Sequence, residues 1–473
     1  MAKVAGILAL ALTLVACERL EVGDPPTFTS SITAVKVSES QIAVSWSAGS
    51  DDILDSHELS YGIWVVDKDQ DINYDADPTH LTGEGALSYA LIGLEANKEF
   101  TIGVRARDRG SNYSTTDRET DQSTEAAGSG LFKKETVISV SQTPDDVLSG
   151  YINSSSREDL VLVIDDEVWI YESGTDGTLA TDPQRIQVGS EISEAWLIRA
   201  RDNEDYDDLF VLAGGTLYYY ESDDGDGFND RRSPFNRDPE PGTVSFVSDD
   251  GYLKALMFID DGNTGYIYEH DGEGAFSQAR SINFNNGEIA SLAWANNDND
   301  PDLIVFGANG VEVALGDDDF EFGSRSEVDD DFDRESANHT MFIVDFNGDG
   351  TDDICIFDAD HGNDPETELR VYQSESDGDF LAGTTTDYKG AFYGKPEFVV
   401  LGTTNARSVL FSQTASNTVA VYSGPTDTSV DQTFGGDGDI SFATYANLDN
   451  ANGKDLIMVS RDERKVTVML ANQ

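Results

Sequence analysis

Asp345-Phe346-Asn347-Gly348-Asp349-Gly350-Thr351-Asp352-Asp353-Ile354 lies between two apolar, strand-length runs and decides how the rest of the chain is read. Oxygen-bearing side chains fall at positions 1, 3, 5 and 9 of the loop, with a backbone carbonyl available at 7. That spacing lets five oxygens converge on one hard cation. Gly348 and Gly350 allow backbone turns that other residues resist. The loop ends on Asp353, and an Asp-Leu pair or a degenerate relative opens a strand at regular intervals elsewhere. These anchors are Asp159, Asp208, Lys254, Asp302, Asp353, Ser408 and Asp455, separated by 49, 46, 48, 51, 55 and 47 residues. Each opens a short apolar strand, such as Leu160-Val161-Leu162-Val163 or Leu303-Ile304-Val305-Phe306, and a further strand follows. Self-similarity with this period marks a repeat architecture.

Seven units of four strands each are what a β-propeller requires, whereas an open solenoid would have shorter periods and capping ends. The seventh unit stops three strands in, and a lone segment, Gly130 to Val140, precedes the first unit. This segment is expected to pair with the last unit as its missing strand. Upstream, Ile42-Ala43-Val44-Ser45-Trp46 and Tyr61-Gly62-Ile63-Trp64-Val65 alternate with period two, as half-buried strands of a sandwich do. The expected fold is therefore all-β: a two-sheet sandwich followed by a seven-bladed β-propeller closed by an N-terminal strand.

The 473 residues carry 90 acidic and 30 basic side chains, a formal charge of −60. Nucleic acid is bound by neutralising phosphates with Lys and Arg, so it is excluded as a partner. Two cysteines, Cys17 and Cys355, preclude a disulfide framework or a paired-cysteine zinc site. The five histidines form no His-x-x-x-His pair, and no nucleophile motif is present, so no catalytic residue is assigned. Carboxylate pairs for glycoside chemistry are uninformative among so many acids.

Residues 1–16 have the form of a secretory signal too short to span a bilayer. They end in Leu14-Val15-Ala16-Cys17, which resembles the lipobox of bacterial lipoproteins. That resemblance implies acylation of Cys17, with Glu18 favouring the outer membrane. The sandwich resembles a fibronectin type III module through Trp46, Leu94 and the alternation from Phe100 to Ala106, although Phe100 replaces the usual Tyr. Loop 345–353 resembles the Asp-x-Asn-x-Asp-x-x-x-Asp motif of the FG-GAP and VCBS repeats, found in integrin α-subunit propellers and bacterial surface proteins. By that match calcium is held by the side chains of Asp345, Asn347, Asp349 and Asp353 and the carbonyl of Thr351.

Weaker copies occur in unit four (Asn296, Asp298, Asp300, Asp302, with Trp294 first) and unit seven (Asn447, Asp449, Asp455, with Ala451 fifth). Unit two offers Asp202, Glu204 and Asp208, with Ala200 first. Units one, three and six have lost the carboxylate set. Asp223-Asp224-Gly225-Asp226-Gly227 reads as a hairpin turn, and Asp67-x-Asp69-x-Asp71 as an acidic loop lacking the Gly and Glu of an EF-hand. Trp169, Trp196, Trp294 and Tyr218 to Tyr220 read as packing between units before they read as sugar platforms, and Cys355 as a buried small apolar residue.

The expected layout is a signal peptide at 1–16, a lipidated tether at 17–26, the sandwich at 27–126, a linker at 127–132 and the repeats at 133–473. The expected role is that of a calcium-stabilised, lipid-anchored binding or adhesion protein of the bacterial envelope. Its partner would be a protein or glycan at one propeller face, and the lipid anchor would be its sole membrane contact. A structural subunit of an envelope assembly and a polysaccharide-degrading enzyme are the alternatives.

Overall fold

Apolar residues at every position of a strand need a partner on both faces, and the repeat strands find one on each side. In the computed structural model Leu160, Leu162 and Ile164 pack in a core shared with the last unit, while Val161 and Val163 pack in one shared with unit two. Leu456 and Met458 likewise face unit six while Ile457 and Val459 face unit one. This explains why these runs are continuous rather than alternating. The structure describes residues 23–471 except 128–131, 154–155, 203, 224–226, 230, 250, 261–262, 318, 330–338, 359–365, 390–391, 401–406, 414–415, 423–431, 452–453 and 461–462. The expected signal peptide, Cys17 and the start of the tether lie outside the described residues.

Nine antiparallel sheets are seen among the described residues. Two form the N-terminal sandwich: Thr33–Lys36, Ile42–Ser45 and Ser88–Leu91 face His80–Leu81, Ser60–Asp67, Glu99–Arg107 and Arg118–Ser123. Their shared core includes Trp46, Tyr61, Phe100 and Ile102. Phe100 has no hydroxyl to tie the chain, and the buried Tyr61 hydroxyl accepts the Gly49 N–H at 2.8 Å.

The other seven sheets follow one another as simple meanders. Unit one is typical, with Asp146–Gly150, Asp159–Ile164, Glu167–Tyr171 and Gln184–Gln187 in spatial sequence. Among the described residues unit two has three strands rather than the expected four, Ile192–Ile198, Asp208–Ala213 and Thr216–Tyr220. Where its fourth strand would run, a single bridge remains, Arg232 exchanging backbone bonds with Tyr219 at 2.9 Å each, and Pro234, two residues on, lacks the N–H to continue a ladder. Unit seven consists of Ile440–Ala446, Asp455–Ser460 and Lys465–Ala471, and Phe132–Ser139 completes it by pairing antiparallel to the last of these.

The expected closed seven-bladed β-propeller is corrected by this topology. No described sheet is closed or curled; the strand ladder of each stops at two edge strands, and sheets are joined to one another by side-chain packing and loop contacts rather than by ladder pairing. The fold is all-β, made of many small discrete antiparallel sheets, and the assignment of the repeats to an FG-GAP propeller falls with the closure.

The sandwich is not held away as a free spacer. Gln41, fully buried, donates to the Gly435 carbonyl at 2.6 Å and accepts the Gly435 N–H at 3.3 Å. Asn417 spans Ala90, accepting its N–H and donating to its carbonyl at 2.9 Å each. Val37 and Ala43 enter the core shared by units six and seven.

Candidate metal centre

Anchor aspartates sit at the first residue of the second strand in units one, two, four, five and seven, where the preceding loop and the third strand's end both turn back toward them. Asp159, Asp208, Asp302, Asp353 and Asp455 are at most 1% exposed, so their carboxylates must be satisfied within the protein. Asp302 accepts the N–H groups of Ala295 and Gly316 at 2.9 Å each. Asp455 does the same with Leu448 and Ala471 at 2.8 Å, and Asp159 with Asn153 and Ser173 at 2.8 Å. Asp353 accepts from Phe346 and Asn347 with one oxygen and from Ser374 with the other. The anchor is thus a clamp that joins loop, second strand and third strand. Burial pushes the Asp302 and Asp353 carboxyls up to about 6, against the pull of these N–H groups.

Loop 345–353 rises from this clamp. Asp345 accepts the N–H groups of Gly348 at 2.7 Å, Asp349 at 3.1 Å and Gly350 at 3.1 Å. Gly348 and Gly350 have φ of 80° and 96°, the left-handed region that lets successive N–H groups point inward. Asn347 Oδ1 accepts the Asp349 N–H at 2.8 Å, and Asp349 accepts the N–H and hydroxyl of Thr351 at 2.9 and 2.6 Å. Burial opposes the Asp349 charge, yet the Thr351 and Asn347 donors together hold its carboxyl below the usual range. Asp345 and Asn347 are half-buried and Asp349 exposed, whereas Thr351 and Asp353 are buried. The structure therefore sets four of the five candidate residues along the loop and commits Asp353 to its base.

Unit four repeats part of this pattern. Asn296 Oδ1 accepts the Asp298 N–H at 3.0 Å, and Asp298 accepts the Asp300 N–H at 2.9 Å. At its first position the Trp294 ring N–H donates to the Ser248 carbonyl at 2.9 Å. In unit seven Asp449 accepts the Ala451 N–H at 2.9 Å, and Asn447 Oδ1 is buried with no hydrogen-bond partner among the described residues. Unit two supplies its own cation: the Arg201 guanidinium, 12% exposed, reaches Glu204 at 3.5 Å, Asp208 at 3.3 Å and Glu221 at 3.4 Å. No group of three or more His, Cys, Asp or Glu is gathered as a metal cage among the described residues.

Sequence reasoning missed the residue just before the anchor. Asp352 exchanges two bonds with the Trp294 backbone, its N–H donating at 2.7 Å and its carboxylate accepting at 2.8 Å. Asp207 and Tyr151 pair identically at 2.7 and 2.8 Å, as do Glu158 and Asn447 at 2.8 and 2.9 Å. Each strap joins one unit to the next, and Glu158 joins the first to the last. At Gly150 a Cβ would lie 2.8 Å from the Asp207 carboxylate, so the strap needs a glycine there. The acidic doublets 158–159, 207–208 and 352–353 were the available signal.

Of the other singled-out residues, Trp169, Tyr219 and Cys355 are buried in cores, and Trp196 and Trp294 are half-buried. Asp223 opens a hairpin held by a Ser222–Phe228 bridge, equivalent to Ser173–Leu179 and Ser374–Phe380; residues 224–226 lie outside the described residues. Among the described residues no helix is long and apolar enough to cross a membrane.

No protein-family model matches the chain, and no curated protein does. Among solved structures it is similar to an Agrocybe aegerita lectin that recognises non-reducing terminal N-acetylglucosamine. The identity is 16%, with 70% of this chain and 87% of that one covered and a TM-score of 0.46. It is also similar to BBS1N, solved in complex with ARL6DN, at 11% identity, with 72% and 96% covered and a TM-score of 0.48.

Proposed function

We propose that the chain is a calcium-stabilised, lipid-anchored surface protein whose repeat units dock a protein or glycan ligand. The observation that carries this reading is loop 345–353. Among the described residues it alone combines a first-position carboxylate, Asp345, with Asn347, Asp349 and a pinned base at Asp353. The donor set is all oxygen, as a hard cation requires. Asp345 Oδ1 and Asp349 Oδ1 each accept two hydrogen bonds, whereas Asn347 Oδ1 and Asp349 Oδ2 accept one each, and an oxygen that accepts one keeps a second lone pair for an ion. Asp345, Asn347 and Asp349, with the Thr351 carbonyl, would hold the ion, and Asp353 would fix the loop beneath it. Bound calcium would offset the repulsion of neighbouring carboxylates. The unpartnered Asn447 Oδ1 is the oxygen a second, weaker site in unit seven would use. The resemblance of the loop to the metal motif of those repeat families, of 27–126 to fibronectin type III and of residues 14–17 to the lipobox belongs to the same reading.

A structural subunit of an envelope assembly is the second reading. The buried sandwich contacts through Gln41 and Asn417 favour it, since they present the sandwich and units six and seven as one surface. Calcium titration by calorimetry on the full chain, with thermal unfolding followed in parallel, tests the first. At least one site is expected, with binding and stabilisation both lost in Asp349→Ala. Absence of binding in the parent would refute the calcium reading. Co-purification from detergent-solubilised membranes tests the second, which needs a stoichiometric partner.

A further inference from the structure

First strands are less buried than second strands. All six residues of His339–Val344 are half-buried, whereas all six of Asp302–Gly307 and Asp455–Ser460 are buried. The space they face is a cavity of about 690 Å³ walled by units one, two, five, six and seven. A second cavity of about 550 Å³, walled by units two to five, adjoins it, and Trp196, Ile198 and Phe342 line both. First strands of all seven units therefore contribute to one continuous hollow. Ligand pockets commonly have this size.

Its walls combine two features. Aromatic rings come from separate units: Trp196, Phe342, Phe442 and Tyr445 in the larger part, and Phe246 and Trp294 in the smaller. Trp196 and Phe246 meet edge to face at 5.4 Å, which holds the indole in place. Carboxylates supply the charge. Asp145, Asp146, Glu194 and Glu397 line the larger part and Asp352 the smaller, and no Lys, Arg or His is among the described lining residues. Glu194 accepts the Gly242 N–H at 2.6 Å and Glu397 accepts the Thr444 hydroxyl at 3.2 Å.

A concave wall of one sign concentrates field lines and attracts the opposite charge, and a ring face adds to that attraction for a cation. The protein already seats its own cations on such faces. Arg185 lies 3.8 Å from the Trp169 ring centre, and Lys254 lies 5.2 Å from that of Trp294 at the cavity wall. We propose that this hollow binds a small organic cation, an ammonium or quaternary ammonium carried on an aromatic or alkyl body. The charge would lie toward Glu194 and Glu397 and the body against Trp196 and Phe342. An anion is repelled by the same carboxylates, and a neutral molecule gains from the rings alone. The inference is independent of the calcium reading, because none of the loop's candidate ligands lines the hollow.

The test uses the full chain at fixed calcium and about 0.15 M salt, where unspecific attraction to the acidic surface is screened. Benzyltrimethylammonium, neutral benzyl alcohol and phenylacetate are titrated, with calorimetry and tryptophan fluorescence as readouts. Saturable one-to-one binding of the cation is expected, at least about tenfold tighter than the alcohol, with none for the anion. Glu194→Gln keeps the acceptor for Gly242 and should weaken the cation about tenfold without changing thermal unfolding; Glu397→Gln is the second variant should the first misfold. Trp196→Leu should weaken cation and alcohol alike. Asp349→Ala should leave cation binding intact. Equal affinity for cation and alcohol, uptake that never saturates, or affinity unchanged in both carboxylate variants would overturn the proposal.

Discussion

Replacing Asp159 by Ala isolates the anchor clamp from any metal question, because unit one has lost the loop carboxylates. The carboxylate is 1% exposed and accepts two backbone N–H groups at 2.8 Å, with the Ser173 hydroxyl a third donor at 3.2 Å. Alanine leaves the amides of Asn153 and Ser173 buried and unmade. Each unmade donor costs roughly 1 to 3 kcal/mol, so the pair should cost about 4 kcal/mol. Native-state hydrogen exchange reads this locally, even if the units do not unfold together. At about 1.4 kcal/mol per decade, both amides should exchange on the order of a thousandfold faster. Asp159→Asn keeps one oxygen and sets an NH2 against the second N–H, so it should restore protection at one amide only. Asp449→Ala, which loses the Ala451 N–H in a partly exposed loop rather than a pair of N–H groups at a buried anchor, is the comparison and should cost clearly less. A loss below about 1 kcal/mol in Asp159→Ala, or unchanged exchange at both amides, would refute the clamp.

Arg201→Met should leave the buried Asp208 without its cation, while Glu221 keeps Arg232, and lower stability by roughly 3 to 5 kcal/mol, measured by urea unfolding. A loss of under about 1 kcal/mol would mean the cluster is solvated. Gly435→Ala should loosen the sandwich, since a Cβ there would lie 1.9 Å from the Ala90 Cβ; faster limited proteolysis between the two parts is expected, with Ala90→Gly restoring resistance. Burial holds His270 below its usual range, so between pH 7 and 5 the unfolded chain takes up its proton first. Stability from this group is complete above about pH 6.5 and is lost as pH falls through the lower folded value. His270→Phe should flatten the fall in melting temperature over that window, and an unchanged slope would contradict it.

The period was legible because Asp-Leu recurs at the one place where a buried carboxylate is affordable, at the turn between loop and strand. Its purpose was not legible. Asp353 reads as a ligand in sequence, yet in the structure both oxygens serve backbone amides, the role Asp159 plays where no metal loop exists. Straps such as Asp352 to Trp294 join residues 58 positions apart, a pairing no local pattern displays. Closure was over-read from strand count. Seven meanders can be counted along a chain, but the strand ladder of each stops at its own edges. Pro234 was the signal available for the fourth strand of unit two, which is reduced to the Tyr219–Arg232 bridge.

Gln41 does to Gly435 what a neighbouring strand would do, donating to its carbonyl and accepting its N–H from one side-chain amide. Gly435 ends the edge strand Gln432–Gly435 of unit six, and Phe434 beside it packs in a core that takes Val37 and Ala43 from the sandwich. Exposed strand edges flanked by apolar surface recruit other chains. The sandwich is thus a guard against self-association, and repeat units produced without it would be expected to aggregate before they unfold.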